Sequence, residues 1–109
     1  MITDEQVDRI IHWALQRGIL DTPKPQALIA QATKTVEEAW EVRNACEAGD
    51  LNEIIDGIGD VFVTLVILSE IVGVDIEDCI DAAWEEIKDR TGKMVDGVFV
   101  KEEELADAE

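Results

Sequence analysis

The chain has 109 residues, of which 47% are apolar and 32% charged, and its length suits one domain rather than two. This composition is typical of a globular protein and excludes a disordered tail or a collagen-like repeat. Acidic residues outnumber basic ones 26 to 9, and the resulting net charge of −17 argues against binding of a nucleic-acid polymer by phosphate neutralisation.

Capping signals and apolar spacing predict two helices in the first half of the chain. Thr3 and Gln6 form a capping box, and apolar residues follow at helical spacing until Gly18 ends the first helix. Pro25 follows a short loop and suits the first turn of a second helix, which we expect to extend to Ala48.

The third predicted helix, about Leu51 to Val72, is apolar on nearly all sides between residues 61 and 68. Such a helix is buried either centrally in the domain or in an oligomer interface. A small bundle has a thin core, so this wide apolar face favours assembly into a homodimer or homotetramer over a monomer.

A fourth helix is predicted from Asp75 to Gly92. Its inner stripe consists of Ile76, Ile80, Ala83, Trp84 and Ile87. A turn is expected at Asp96-Gly97, and residues 101–109 are expected to form a frayed acidic tail.

These elements predict an all-α fold in which residues 1–109 form one domain, a four-helix bundle-type protomer that completes its core by oligomerisation. Cys46 and Cys79 have neither disulfide-scaffold nor metal-binding spacing and are interpreted as reduced core residues. The chain has no apolar leader and no apolar run near the ~20 residues of a membrane span, so we expect a soluble cytoplasmic protein with no membrane partner.

Three acidic residues cluster on the second predicted helix: Glu37, Glu38 and Glu41. Their spacing makes them neighbours on the helix surface, where like charges destabilise the helix unless a cation compensates. On the third helix, an acidic stripe runs into the most apolar stretch of the chain: Glu53, Asp56 and Asp60.

A carboxylate in such an apolar stretch is either solvated or held by a partner, because an unpaired buried charge is very costly. A divalent cation is the simplest partner, and an all-oxygen site suits Mg²⁺ or Mn²⁺ better than Zn²⁺. The alternative is that these acids form a solvated edge of two amphipathic helices.

Three of the nine basic residues lie close together after the fourth apolar stripe: Lys88, Arg90 and Lys93. Lysine and arginine side chains in such a cluster are suited to pairing with a polyphosphate. Alternatively, these cations complement the negative end of a helix dipole.

Together these residues resemble the MazG-like branch of the all-α nucleoside triphosphate pyrophosphohydrolases over roughly residues 25 to 100. Three elements carry the resemblance, in order: Gln31-x-x-Lys34-x-x-Glu37-Glu38-x-x-Glu41, Asp56-Gly-Ile-Gly-Asp60-Val-Phe, and Lys88-x-Arg90-x-Gly92-Lys93 followed by Gly97-Val-Phe. The resemblance implies Mg²⁺-dependent hydrolysis of a nucleotide between its α- and β-phosphates, by dimers or tetramers, to a monophosphate and pyrophosphate.

The resemblance also implies roles for individual residues. The metal ligands would be Glu37, Glu38, Glu41 and Asp60, with Glu38 also orienting or deprotonating the attacking water. Gly57 stands where the family has Glu, so either Asp56, which we prefer, or Glu53 would complete the metal site. The β- and γ-phosphates would be held by Lys88, Arg90 and Lys93, and Gln31 and Lys34 would contact the nucleotide. Independently of the resemblance, His12, Trp13 and Trp40 are candidates for stacking on a nucleobase, and the alternative is that each is structural.

Two other functions are compatible with the sequence. One is the phosphoribosyl-ATP pyrophosphohydrolase of histidine synthesis, which belongs to the same superfamily. The other is a non-catalytic acidic helical module that binds a partner, which the net charge of −17 supports. Stabilisation by Mg²⁺ would distinguish an enzyme from such a module, because a metal that binds only the folded state raises the melting temperature.

Overall fold

A computed structural model describes residues 1–107 and divides the chain into two compact units, Met1–Ile76 and a second that begins at Glu77. The first contains α1 (Asp4–Gln16), a 3-10 turn (Ile19–Asp21), α2 (Lys24–Ala48) and α3 (Leu51–Val72). After α4 (Ile76–Ile87), the second contains β1 (Gly92–Val95), β2 (Val98–Lys101) and α5 (Glu102–Asp107). The predicted all-α fold class is confirmed, with one small hairpin added to it.

The ends of the first three helices follow from local chemistry. The predicted capping box is present, since Thr3 accepts a hydrogen bond from the Gln6 amide and the Gln6 side chain accepts one from the Thr3 amide. Asp50 caps α3 by accepting a hydrogen bond from the Glu53 amide. Gly49 and Gly73 end α2 and α3 at positive φ, a conformation that glycine adopts without a steric penalty.

The helices α2 and α3 pack antiparallel and form the main contact of the first unit. In the middle of α2, the Thr35 hydroxyl donates to the Thr64 hydroxyl across 2.9 Å. Towards the end of the helix, Val42 packs against Gly57. This register brings the middle of α2 opposite the middle of α3.

Gly57 allows the close approach of α2 and α3. A Cβ atom added to Gly57 would lie 2.6 Å from Val42 Cγ2, a β-branched side chain with little freedom to move. We therefore expect Gly57→Ala to lower the free energy of unfolding by about 1–3 kcal/mol. Gly59→Ala is the matched control, because a Cβ there meets no atom within 4 Å and alanine favours a helix by ~1 kcal/mol. Urea unfolding should show opposite signs for the two variants, and equal effects would contradict this packing.

The end of the fourth helix differs from its prediction. The helix α4 stops at Ile87, and Gly92, predicted to close it, is the first residue of β1 and pairs with Lys101. The predicted turn at Asp96-Gly97 is confirmed, and both residues have positive φ, as a two-residue hairpin turn requires. Strand pairing across this turn therefore replaces the expected last turn of the helix.

The predicted frayed tail begins with two ordered elements. Lys101 ends β2, and residues 102–107 form α5. The Thr91 hydroxyl donates to the Glu102 carboxylate across 2.5 Å, and the Glu102 amide donates to the Thr91 carbonyl. Acidic residues in the first turn of α5 also suit the positive end of its dipole. Residues 108 and 109 lie outside the described part of the chain.

Few side chains in the described chain are fully buried. The buried apolar residues are Ala14, Ala27, Val66 and Ile67. Trp84 was predicted to be in the core but is 56% exposed, and no residue of α4 is buried, because the hairpin packs mainly against α5.

The two cysteines also differ from their prediction. Cys46 and Cys79 are free, but both are exposed rather than in the core. Cys46 lies in the last turn of α2, beyond the region of tight packing against α3. In the described chain no single helix is long and apolar enough to cross a membrane.

Candidate active site

Glu38 is the one acidic residue in the described chain that is buried. It lies in the middle of α2 and is 9% exposed. Its Oε1 atom lies 3.3 Å from the Lys34 ammonium, whereas its Oε2 atom is buried and has no hydrogen-bond partner. A buried carboxylate oxygen without a partner is costly, so this atom is suited to receiving a cation or a proton donor.

Two further carboxylates belong to this part of the structure: Glu41, which interacts electrostatically with Glu38, and Asp60, which interacts with Glu41. Repulsion by the Glu38 carboxylate, with partial loss of hydration, raises the pKa of Glu41. Asp60 contributes a smaller repulsion from α3. The antiparallel register therefore brings together three of the predicted metal ligands, from two different helices.

Lys34 partly neutralises this group. Its ammonium lies 3.5 Å from Glu37 Oε2 as well as 3.3 Å from Glu38 Oε1. Hydrogen bonding and attraction to Glu38, with a smaller effect of Glu37, raise the pKa of Lys34. We call Lys34, Glu37, Glu38, Glu41 and Asp60 the carboxylate cluster, which contains one cation and four acids.

The carboxylate cluster has the chemistry of a metal site without a closed ligand shell. Among the residues that the structure describes, no group of three or more His, Cys, Asp or Glu side chains is arranged to hold a metal ion. Mutual repulsion of the carboxylates gives a physical reason for this open arrangement. The donors are all oxygen, and Glu38 Oε2 has no partner, so the residues present fit a hard divalent cation.

The two residues considered as additional ligands lie elsewhere on α3. Asp56 is exposed, one helical turn before Asp60. Glu53 is also exposed, and it lies in the first turn of α3, where its amide is bound by the Asp50 cap. Their roles as ligands remain predictions.

A groove between α1 and α3 reaches Asp60. It has a volume of about 700 Å³, and its lining consists of Gln6, Arg9, Ile10, His12, Trp13, Gln16, Asp60 and Val63. The Arg17 guanidinium lies over the Trp13 ring, 5.0 Å from its centroid, and helps to hold the indole in place. Two predicted nucleotide contacts, His12 and Trp13, thus line the same groove as one predicted metal ligand.

Two other predicted contacts have structural partners. The Gln31 amide donates to the Thr64 carbonyl across 3.2 Å and so joins α2 to α3. Trp40 is 58% exposed, with the Arg43 guanidinium 5.6 Å from its ring centroid. The Thr35–Thr64 contact was not predicted from the sequence. The available signal was Thr64, whose hydroxyl lies within the apolar run of α3.

The predicted phosphate-binding cations belong to the second unit. Lys88 and Arg90 follow the last residue of α4 and lie 2.7 and 4.0 Å from the carboxylates of Glu85 and Glu86. Lys93 is in β1. Contact of these three cations with phosphate remains a prediction.

Similarity to known proteins was found for one part of the chain, through a family model. No curated protein and no solved structure is significantly similar to the chain. A family model, the MazG nucleotide pyrophosphohydrolase domain, matches residues 26–95, which include all of α3 and almost all of α2. The match covers more than half of the chain and contains every residue of the carboxylate cluster. The chain therefore belongs to the MazG nucleotide pyrophosphohydrolase family.

Proposed function

We propose that the protein hydrolyses a nucleoside triphosphate between its α- and β-phosphates, with Mg²⁺, to a nucleoside monophosphate and pyrophosphate. The observation that carries this proposal is the buried Glu38 carboxylate, whose Oε2 has no partner and which repels Glu41, a carboxylate that Asp60 also repels. A protein with a net charge of −17 can accept a polyanionic substrate only if cations intervene.

The metal would be held by carboxylates of α2 and α3. Glu38, Glu41 and Asp60 are the three that interact, and Glu37 and Asp56 flank them in sequence. Mg²⁺, or Mn²⁺ in its place, would neutralise triphosphate charge and make a bound water more acidic.

Glu38 is our choice for the group that accepts the proton of the attacking water. In the metal-free protein the Lys34 ammonium binds Oε1, and Oε2 has no hydrogen-bond partner. Burial between two packed helices fixes the carboxylate in position, which general-base catalysis requires.

The groove between α1 and α3 is suited to the nucleoside part of the substrate. Trp13 provides an aromatic surface, and His12 adds a polar ring on the same wall. Because Asp60 also lines the groove, a nucleoside bound there would have its phosphates directed towards the carboxylate cluster.

Replacing Trp13 by Ala is expected to raise KM about 5- to 100-fold, since base–aromatic stacking contributes ~1–3 kcal/mol. Trp40→Ala is the matched control, because Trp40 is also partly exposed and near an arginine but does not line this groove. Steady-state kinetics of both variants test the assignment. A larger rise in KM for Trp40→Ala would place the base elsewhere.

We further propose that the protein assembles into a homodimer or homotetramer. Apolar residues on α2 and α3 that are each more than half exposed in the single chain include Ile29, Val36, Leu51, Ile55 and Ile58. Exposed apolar surface of this extent is typical of an interface, and closed symmetric assemblies are the usual way to cover it.

The proposed function is tested with a panel of nucleoside triphosphates, with phosphoribosyl-ATP included. Turnover is followed as phosphate that appears only when inorganic pyrophosphatase is added, which distinguishes pyrophosphate release from loss of the γ-phosphate. We expect Mg²⁺-dependent turnover of at least one nucleoside triphosphate. Turnover of phosphoribosyl-ATP alone would instead favour the histidine-synthesis reaction. Absence of turnover, with no effect of Mg²⁺ on the melting temperature, would favour an acidic interaction module.

A further inference from the structure

Lys34 holds an unusual position for a lysine near a site that should bind a metal. Its ammonium lies 3.3 Å from Glu38 Oε1 and 3.5 Å from Glu37 Oε2. It therefore contacts the carboxylate whose other oxygen is buried without a partner. A cation already lies where the carboxylate cluster needs one.

The charges of the cluster do not balance. The Lys34 ammonium contacts two carboxylates, and Glu41 is repelled by both Glu38 and Asp60. A single monovalent cation reduces this repulsion without removing it, whereas a small divalent ion would bring twice the charge to the same oxygens. A divalent ion at Glu38 would repel the Lys34 ammonium, which contacts the same carboxylate.

We propose that Lys34 is a resident counter-ion of the carboxylate cluster, which a divalent cation displaces from Glu38 when it binds. The inference rests on the proposed function, because it takes the cluster to be the metal site. In the metal-free protein, the Lys34 ammonium reduces the electrostatic repulsion between the acids of α2. When the metal binds, the ammonium is released at the edge of the site, where an anionic substrate arrives.

The test is a calorimetric titration of Mg²⁺ into the full chain without nucleotide. Lys34→Gln removes the competing cation, so Mg²⁺ should bind about 2- to 5-fold more tightly than to the wild type, the range expected for loss of an ion pair of ordinary strength. The matched control is Arg43→Gln, which removes the same charge from α2 but from a pair with Glu47 across 2.6 Å. Arg43→Gln measures the general effect of one lost positive charge, and the gain in Lys34→Gln must exceed it.

A second variant keeps the test decisive if Lys34→Gln destabilises the fold. Lys34→Arg retains the charge and binds carboxylates through more hydrogen bonds, so it should be harder to displace and should weaken Mg²⁺ binding relative to the wild type. We therefore expect Mg²⁺ to bind most tightly with glutamine at position 34, less tightly with lysine and least tightly with arginine.

Failure of the inference and failure of the proposed function give different results. Saturable Mg²⁺ binding to the wild type, with Lys34→Gln no tighter than Arg43→Gln, would overturn the counter-ion role alone. Absence of saturable binding in the wild type and in both variants at position 34 would overturn the metal site itself, and the inference with it.

Discussion

Glu38→Gln is expected to reduce kcat by about 100- to 10,000-fold, the usual contribution of a general base. The change removes the negative charge and the proton-accepting ability of Oε2 but keeps the shape of the side chain. The substitution removes a buried carboxylate oxygen that has no partner, so we expect the variant to retain its helical structure. Steady-state kinetics and circular dichroism of the purified variant would measure both effects.

The control for Glu38→Gln is Glu47→Gln. Glu47 lies on the same helix and pairs with Arg43, but both side chains are largely exposed. This variant should keep wild-type kcat, because it is outside the carboxylate cluster. If Glu38→Gln retained a tenth or more of the wild-type kcat, Glu38 would not be the base.

Glu41→Gln is expected to have opposite effects on stability without and with Mg²⁺. In the metal-free protein at neutral pH, the variant should melt at a higher temperature than the wild type, because glutamine is not repelled by Glu38. With Mg²⁺ at ~100 times its Kd, the wild type should gain about 2.7 kcal/mol from binding. The variant lacks one ligand and should gain less. Thermal melts with and without Mg²⁺ would show this reversal.

The pH dependence of the metal-free melts gives a separate check on Glu41. Its pKa is raised in the folded state above the ordinary value of 4.5. Between pH 4.5 and the raised pKa, the folded protein therefore binds more protons than the unfolded chain. This contribution to stability is fully present below pH 4.5 and is lost as the pH rises through the raised pKa. The advantage of Glu41→Gln should therefore vanish in acid and grow over that interval. A difference independent of pH would contradict repulsion as its cause.

Local signals in the sequence predicted most of the first unit. Thr3, Gly49 and Gly73 act through their own backbone conformations or nearest neighbours, so the helix ends could be read without knowing the tertiary contacts. The acidic motif of α2 likewise identified the right region, since helical spacing alone places Glu38 and Glu41 on neighbouring positions.

Features that depend on packing could not be read in the same way. Spacing did not distinguish buried Glu38 from exposed Glu37, because only the register against α3 decides which carboxylate turns inward. Trp84 has the apolar spacing of a core residue, yet it is more than half exposed. The hairpin had a local signal in Asp96-Gly97, but Gly92, the first residue of its first strand, was interpreted as the end of a helix.

Cleavage of a nucleoside triphosphate between its α- and β-phosphates by the carboxylate cluster can be tested by ³¹P NMR. The spectrum is recorded for the products formed from the preferred nucleotide with Mg²⁺, with the wild type and with Glu38→Gln. We expect equal amounts of nucleoside monophosphate and pyrophosphate from the wild type, and unchanged substrate with the variant over the same time. A nucleoside diphosphate with orthophosphate, or the same products at the same rate from both proteins, would contradict it.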